Sequence, residues 1–206
     1  MRIAVVNEIS AKDKNPCILE ALASTGAELL NIGMSGDAGE SELTYIHTGL
    51  IAGLALATGA ADFVVGGCGT GQGFLLSAMQ YPGVFCGLIA DPLDAWLFSQ
   101  INAGNCVSLA LNKGFGWAGD INLRYIFEKL FRDEPGQGYP EHRAESQRES
   151  REFLAQVSGV THREFPDILQ ALDPEILQPV RKHAPFMECI AQYAKEGVLK
   201  EMILKV

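Results

Sequence analysis

Residues 61–80 read ADFVVGGCGTGQGFLLSAMQ. Asp62–Val65 is a short apolar run with the length and composition of a buried strand. A helical pattern follows to about Gln80. Between them, five of the eight residues from Gly66 to Gly73 are glycine, and a cysteine, Cys68, sits among them. Strand, glycine turn and helix make the first half of a parallel βαβ unit.

The same alternation extends on both sides. Arg2–Val6, Glu28–Ile32, Val84–Ala90 and Cys106–Leu111 read as further strands. Helical patterns cover residues 15–26, closed by Gly26, then 44–58, closed by Gly59, and 117–131. In DPLDAWLFSQIN, Asp91 is an N-cap and Pro92 takes the first helical position. Asp94 belongs to the same helix start. Trp96, Phe98 and Ile101 repeat at helical spacing and read as core or interface. The expected fold is α/β: a five-stranded parallel sheet with helices on both faces, a Rossmann-like three-layer sandwich over residues 1–131.

Composition changes at Arg132. Residues 132–150 are polar, charged and rich in Gly and Pro, and read as a linker and arm running into a solvated helix. Residues 151–206 hold short helical patterns broken at Gly159, Pro166, Pro174, Pro179, Pro185 and Gly197. This C-terminal helical extension is too short for a domain of its own, so it is expected to pack on the first part or on a neighbouring subunit.

The chain has 206 residues, is 48% hydrophobic and 20% charged, and carries a net charge of −9. It can bury a core, and an acidic chain without a basic block is poorly suited to nucleic acid. An anionic substrate would need backbone N–H groups or a few arginines. The first apolar run, of about five residues, is too short for a signal peptide or membrane span, which points to the cytoplasm and away from membranes. Five cysteines at Cys17, Cys68, Cys86, Cys106 and Cys189, with no CxxC spacing, argue against a disulfide scaffold or zinc site.

Two nucleotide-binding readings of the glycine turn fail on named residues. The dinucleotide fingerprint, started at Gly67, meets Gln72 where glycine is required; started at Gly69, it meets Phe74. The P-loop requires Lys and Ser/Thr where Gln72 and Gly73 stand. The position still has chemical consequences. A turn after a parallel strand lies at the carboxyl edge of the sheet, where ligands bind. The following helix presents unsatisfied N–H groups there. Gly69, Gly71 and Gly73 let the backbone approach an anion or a developing oxyanion. A helix N-terminus lowers a thiol pKa, so Cys68 suits attack on a carbonyl or removal of a proton beside one. A cysteine ending a buried strand is equally suited to packing, and the residues alone leave both readings open.

CGTGQG, 68–73, resembles the CGTGxG signature of type B ribose-5-phosphate isomerases and galactose-6-phosphate isomerase subunits. The resemblance runs in register over about residues 1–131, through IAVVNE at the first strand, TYIH (44–47), PGV (82–84), DP (91–92), Asn102 and Asn105. It implies a Rossmann-like sandwich that assembles as a homodimer or homotetramer with active sites at subunit interfaces. It implies aldose–ketose isomerisation of a phosphorylated sugar through an enediolate, without metal or organic cofactor. Ribose 5-phosphate and ribulose 5-phosphate are the favoured pair. By position, Cys68 is the base and Thr70 assists proton transfer at the substrate oxygens. The turn at Gly69, Gly71 and Gly73 holds the enediolate oxygen. Tyr45 lies at the site's edge, His47 falls in the family register, and Asn102 reaches substrate across the interface.

Several positions depart from the family pattern. An Asp-His pair ends the family's first strand; here Glu8 and Ile9 stand there. A histidine often precedes the residue matching Asn102; here it is Ile101. Those histidines serve ring opening and phosphate contact. Glu8 can hold a sugar hydroxyl in the acid's place. Arg143, with Arg148 behind it, is the candidate for phosphate supplied by a neighbouring subunit, and Lys113 in the 113–120 loop faces the same edge. A solvated charge run accounts for the arginines equally well, while a lysine such as Lys113 is more often only solvated and a lone helical histidine such as His47 more often a polar surface residue. The missing histidines raise the alternatives of a four-carbon or six-carbon sugar phosphate, or of a non-catalytic sugar-phosphate-binding subunit. A thiol hydrolase is the weakest rival, since no His–acid pair is visible.

Overall fold

A computed structural model describes residues 1–205. Five strands, β1 (Arg2–Asn7), β2 (Glu28–Asn31), β3 (Phe63–Cys68), β4 (Cys86–Ile89) and β5 (Cys106–Ala110), form one sheet. Every neighbouring pair is parallel, in the order β2-β1-β3-β5-β4. Helices α1 (Asn15–Ala23), α2 (Tyr45–Ala57), α3 (Gln72–Ala78), α4 (Pro92–Leu97) and α5 (Gly119–Phe131) complete the expected α/β sandwich.

Alternation along the strands assigns the two faces. Ile3, Val5, Val65, Val107 and Leu109 pack with Ile18 and Leu22 of α1 and Leu123, Ile126 and Phe127 of α5. Ala4, Val6, Val64 and Cys106 face the other way, toward α2 and Phe74 of α3. Both faces are dry, which is why these strands read as continuous apolar runs.

The C-terminal segment forms α6 (Ala144–Thr161), α7 (Phe165–Ala171), α8 (Pro174–Lys182), α9 (Ala184–Tyr193) and α10 (Val198–Leu204). Its apolar residues Phe165, Leu169, Leu177, Val180, Phe186 and Ile190 join the same core cluster as α2. Helix α2 is therefore covered on two sides, by sheet and by tail, and every residue from Thr48 to Ala55 is buried. Its all-round apolar sequence follows from that position. Phe165 stacks on Tyr81 at 5.8 Å, and Gly53 leaves room for both, since a Cβ there would sit 2.9 Å from Phe165.

Some local expectations change. The division expected at residue 150 falls inside α6, which also runs through Gly159 without a break. A glycine costs a helix only about 1 kcal/mol. Pro179 lies inside α8, where buried Leu177 and Val180 hold the turn in place. Pro166, Pro174 and Pro185 do mark helix starts. The helix expected over 15–26 ends at Ala23, and Gly26 turns the chain with φ +69°. A short 3-10 helix, Ile9–Lys14, opens at the end of β1, where no helical pattern is visible in the sequence. Among the described residues no helix is long and apolar enough to cross a membrane.

Candidate active site

Cys68 is the last residue of β3, so its thiol stands at the carboxyl edge of the sheet, between the ends of β1 and β5. It is 7% exposed. Its Sγ lies 4.0 Å from Thr70 Oγ1, so the two side chains expected to move protons are neighbours. The turn is held from below: the Cys68 carbonyl accepts the N–H groups of Leu111 (3.0 Å) and Gly71 (3.3 Å). Ser108 donates its hydroxyl to the Gly71 carbonyl at 2.6 Å.

The glycines prove to serve the chain's own packing more than an open approach to an anion. Gly71 adopts φ +76° as the residue before α3, a left-handed conformation costly to any side chain. A Cβ there would also meet Leu88 at 2.6 Å. Gly73 is overlaid by the Tyr45 ring, 2.9 Å from where a Cβ would be. This contact brings Tyr45, itself 45% exposed, to the site's edge.

The expectation that the N–H groups of 69–73 act together is corrected in part. Gly69 N–H donates to Ser10 Oγ at 3.1 Å, Gly71 N–H to the Cys68 carbonyl, and Gln72 N–H to Thr70 Oγ1 at 3.3 Å. Among the described residues, only the N–H groups of Thr70 and Gly73 in this stretch have no acceptor in the chain. Two donors, not five, remain for an oxyanion.

Glu8 is 4% exposed and caps the 3-10 turn, accepting both the N–H (3.1 Å) and the hydroxyl of Ser10 on Oε1. Its Oε2 has no bonded partner among the described residues. Ile9 turns into the apolar cluster beneath α2, so nothing at that position replaces an imidazole. His47 is occupied by the fold. Its Nδ1 accepts the Thr44 N–H at 3.0 Å at the start of α2. Burial lowers its pKa, while the nearby Glu175 backbone in α8 raises it. With Nδ1 an acceptor, the neutral ring carries its proton on Nε2, toward the tail. His47 thus caps α2 on the side that packs against α8, a role not read from the sequence.

Asn102 and Arg143 lie elsewhere. Asn102 ends a π-helical turn, Phe98–Asn102, just before β5, and so stands at the amino edge of the sheet. Val64 pairs with Cys106 and Cys68 with Ala110, so Asn102 lies about 16 Å or more from Cys68 along the strands, at ~3.3 Å per residue. Asn102 and Arg143 line one cavity of about 550 Å³ with Met79, Phe85, Cys86 and Arg151. Arg151 donates to the carbonyls of Ile101 (2.8 Å) and Gly136 (3.1 Å). Arg148 instead pairs with Glu152 at 2.8 Å on the exposed face of α6. Asp91 is an N-cap, accepting from Leu93 and Asp94 at 2.8 and 2.9 Å.

Ser10, Asn112 and Arg151 carry no mark in the sequence. Ser10 and Asn112 are single polar residues, Arg151 is one cation in a charged run, and the bonds that matter reach segments distant in the chain, so no spacing distinguishes them. Asn112 Nδ2 donates to the Ser10 carbonyl at 2.7 Å.

The family model for ribose/galactose isomerases matches residues 3–129. A ribose-5-phosphate isomerase from Vibrio parahaemolyticus is 42% identical, with a TM-score of 0.94, covering 98% of this chain and 97% of that one. A 4-deoxy-L-threo-5-hexosulose-uronate ketol-isomerase, solved with tartrate, is 41% identical, with a TM-score of 0.93, covering 98% of this chain and 95% of that one. Both therefore extend through the helical tail. A type B ribose 5-phosphate isomerase from Leishmania infantum, 22% identical with a TM-score of 0.64, covers 77% of this chain and 96% of its own, and shares the fold. No curated protein sequence matches the chain. The matched model spans the sheet from Ile3 onward together with the cysteine turn, and the chain belongs to the ribose/galactose isomerase family.

Proposed function

We propose that this chain is a ketol isomerase that interconverts the aldehyde and ketone forms of an anionic sugar, with Cys68 as the base. The observation carrying the reading is the Cys68–Thr70 pair, 4.0 Å apart, on a turn with two unpartnered N–H groups at the carboxyl edge of the sheet. The thiolate removes the proton from C2 of the aldose and returns it to C1. Thr70 passes a proton between the two oxygens. Thr70 N–H and Gly73 N–H meet the charge that develops on the enediolate. Glu8 accepts a sugar hydroxyl on Oε2. The electron pair and proton move within the substrate, so the reaction needs no redox cofactor.

Asn102 and Arg143 complete the site from a second copy of the chain. Their position at the opposite edge of the sheet supports this, because one copy cannot bring them to its own Cys68. The anion then rests against Arg143, with Arg151 holding the cavity wall.

A phosphorylated sugar, with ribose 5-phosphate as the pentose, is one substrate class, supported by the Vibrio parahaemolyticus structure. A uronate is the second, supported by the ketol-isomerase structure. One observation separates them. Ile9 and Ile101 provide no imidazole for ring opening, and Ile9 packs half-buried against the apolar core. A 4-deoxy-5-ketouronate has no hydroxyl on C4 and a ketone on C5, so its aldehyde cannot close the five-membered ring of a pentose phosphate and closes a six-membered one only through the hydrated ketone. That argument favours the open-chain uronate over the pentose phosphate. Turnover of 4-deoxy-L-threo-5-hexosulose uronate and ribose 5-phosphate, measured side by side, tests it. We expect kcat/KM at least tenfold higher for the uronate, and a clear preference for ribose 5-phosphate overturns the choice. Inactivity on both, with binding retained, would favour a non-catalytic subunit.

A further inference from the structure

We propose that Ser10 and Asn112 are positioning residues for the isomerisation, which together fix the Gly69–Thr70 peptide so that the Thr70 N–H is presented as an oxyanion donor. The inference rests on the reading of Cys68 as the base. It concerns two side chains outside the glycine motif, one in the 3-10 helix after β1 and one in the turn after β5.

The arrangement follows from the sheet. Strands β1, β3 and β5 are neighbours, with Asn7 beside Gly67 and Gly67 beside Leu109. The segments leaving their carboxyl ends therefore meet at one place. After β1, Ser10 Oγ gives its proton to Glu8 and accepts the Gly69 N–H at 3.1 Å. After β5, the N–H groups of Asn112 (3.0 Å) and Lys113 (2.8 Å) both donate to the Gly69 carbonyl. Asn112 Nδ2 closes the ring by donating to the Ser10 carbonyl at 2.7 Å.

The consequence is directional. The Gly69–Thr70 bond is trans, and in a trans peptide the carbonyl and N–H point in opposite directions. With the Gly69 carbonyl drawn onto the β5 loop by two donors, the Thr70 N–H is turned away from that loop and left without an acceptor. Ser10 meanwhile takes up the Gly69 N–H, removing it from the set available to substrate. The backbone of the β5 loop thus sets which donor faces the reacting oxygen, Ser10 Oγ takes up the competing Gly69 N–H, and Asn112 Nδ2 ties the Ser10 segment to that loop. Both residues are exposed, so neither is needed to fill the core. Oxyanion donors act by being oriented before reaction, and small misplacements are costly.

The test is steady-state kinetics of Ser10→Ala, Asn112→Ala and the double variant, with whichever of the uronate and ribose 5-phosphate the wild type turns over. Each single change is expected to lower kcat about tenfold and to shift KM by less than about twofold. The double variant is expected to lose little more than either single one, because both act on one peptide. Ser10→Thr keeps the hydroxyl and should recover most of the rate. Amide hydrogen exchange gives a readout separate from turnover: the Gly69 N–H should lose protection in Ser10→Ala. Wild-type kcat in both single variants, or a change confined to KM, overturns the inference. Full additivity with a matching fall in Tm would reduce both residues to structural supports and overturn it as well. Cys68→Ala separates this from the underlying reading. If Cys68→Ala is inactive and Ser10→Ala is not impaired, only the positioning role fails. If Cys68→Ala still turns over, the base assignment fails.

Discussion

The two edges of the sheet are built differently. At the carboxyl edge, the Cys68 turn is pinned by backbone and hydroxyl hydrogen bonds from three strand ends. At the amino edge, Asn102 and Arg143 line an open cavity that is largely apolar apart from its arginines and amides. The first edge has a thiol and oriented donors but no arginine bonded into it. The second has the arginines, and its one thiol, Cys86, lies 4.0 Å from the Gly87 carbonyl with no hydroxyl partner like Thr70. Rigid orientation is what proton transfer requires, whereas an anion needs a cation and space. The two edges lie about a strand's length apart, and the proposal of a site shared between two copies rests on that separation.

The largest expected effect breaks the chemistry at one edge. Cys68→Ala should lower turnover by at least about 10³-fold and abolish exchange of the substrate C1/C2 protons with deuterated solvent, with Tm little changed. Exchange at the wild-type rate would remove the carboxyl edge from the mechanism.

The sharing of the site can be tested by mixing. Cys68→Ala and Arg143→Ala should each be impaired alone. Co-refolded in equal amounts, they should recover about a quarter of wild-type activity, since half of the dimers are mixed and each has one intact site. No recovery would mean that the two edges serve separate purposes.

A smaller effect joins the tail to the carboxyl edge. His183 is 1% exposed, and its Nε2 lies 3.2 Å from the Gly33 carbonyl, in the loop leaving β2. Burial lowers the pKa of His183, partly offset by the Gly33 carbonyl and the Glu40 charge, and burial also lowers that of His47. A histidine kept neutral in the fold takes up its proton more readily when unfolded. Its contribution is therefore complete above pH about 6.5 and declines as pH falls below it. Thermal melts from pH 8 to 5 should show Tm falling below that point. A flat profile would show that neither ring is held neutral by the fold.

Arg148→Ala should have the least effect. Its ion pair with Glu152 is exposed and worth under about 0.5 kcal/mol. Unchanged kinetics beside an impaired Arg143→Ala would confirm which arginine belongs to the cavity. Equal impairment would extend the anion site along α6.

Much of the fold is legible in the order of residues alone. Both faces of the sheet are covered, so its strands appear as short apolar runs, and glycines and prolines punctuate the helices between them. The Cys68–Thr70 pair is legible because two residues apart on a tight turn are close in any fold. The misreadings have different causes. Gly159 is exposed, and its cost of about 1 kcal/mol is too small to break α6, whereas packing overrides the local penalty of Pro179. The cap that His47 makes with Thr44 is local, whereas the packing of α2 against α8 involves a segment more than a hundred residues away.

The sequence by itself determined the class of fold, the edge at which the cysteine turn stands, and the absence of histidines at Ile9 and Ile101. These depend on local pattern and on the fixed direction of a parallel strand. Only the tertiary structure decided the strand order, the covering of α2 by the tail, the opposite location of Asn102 and Arg143, and the hold of Ser10 and Asn112 on Gly69. These depend on which distant segments meet. Side-chain hydrogen bonds across such distances leave no periodic trace in the chain.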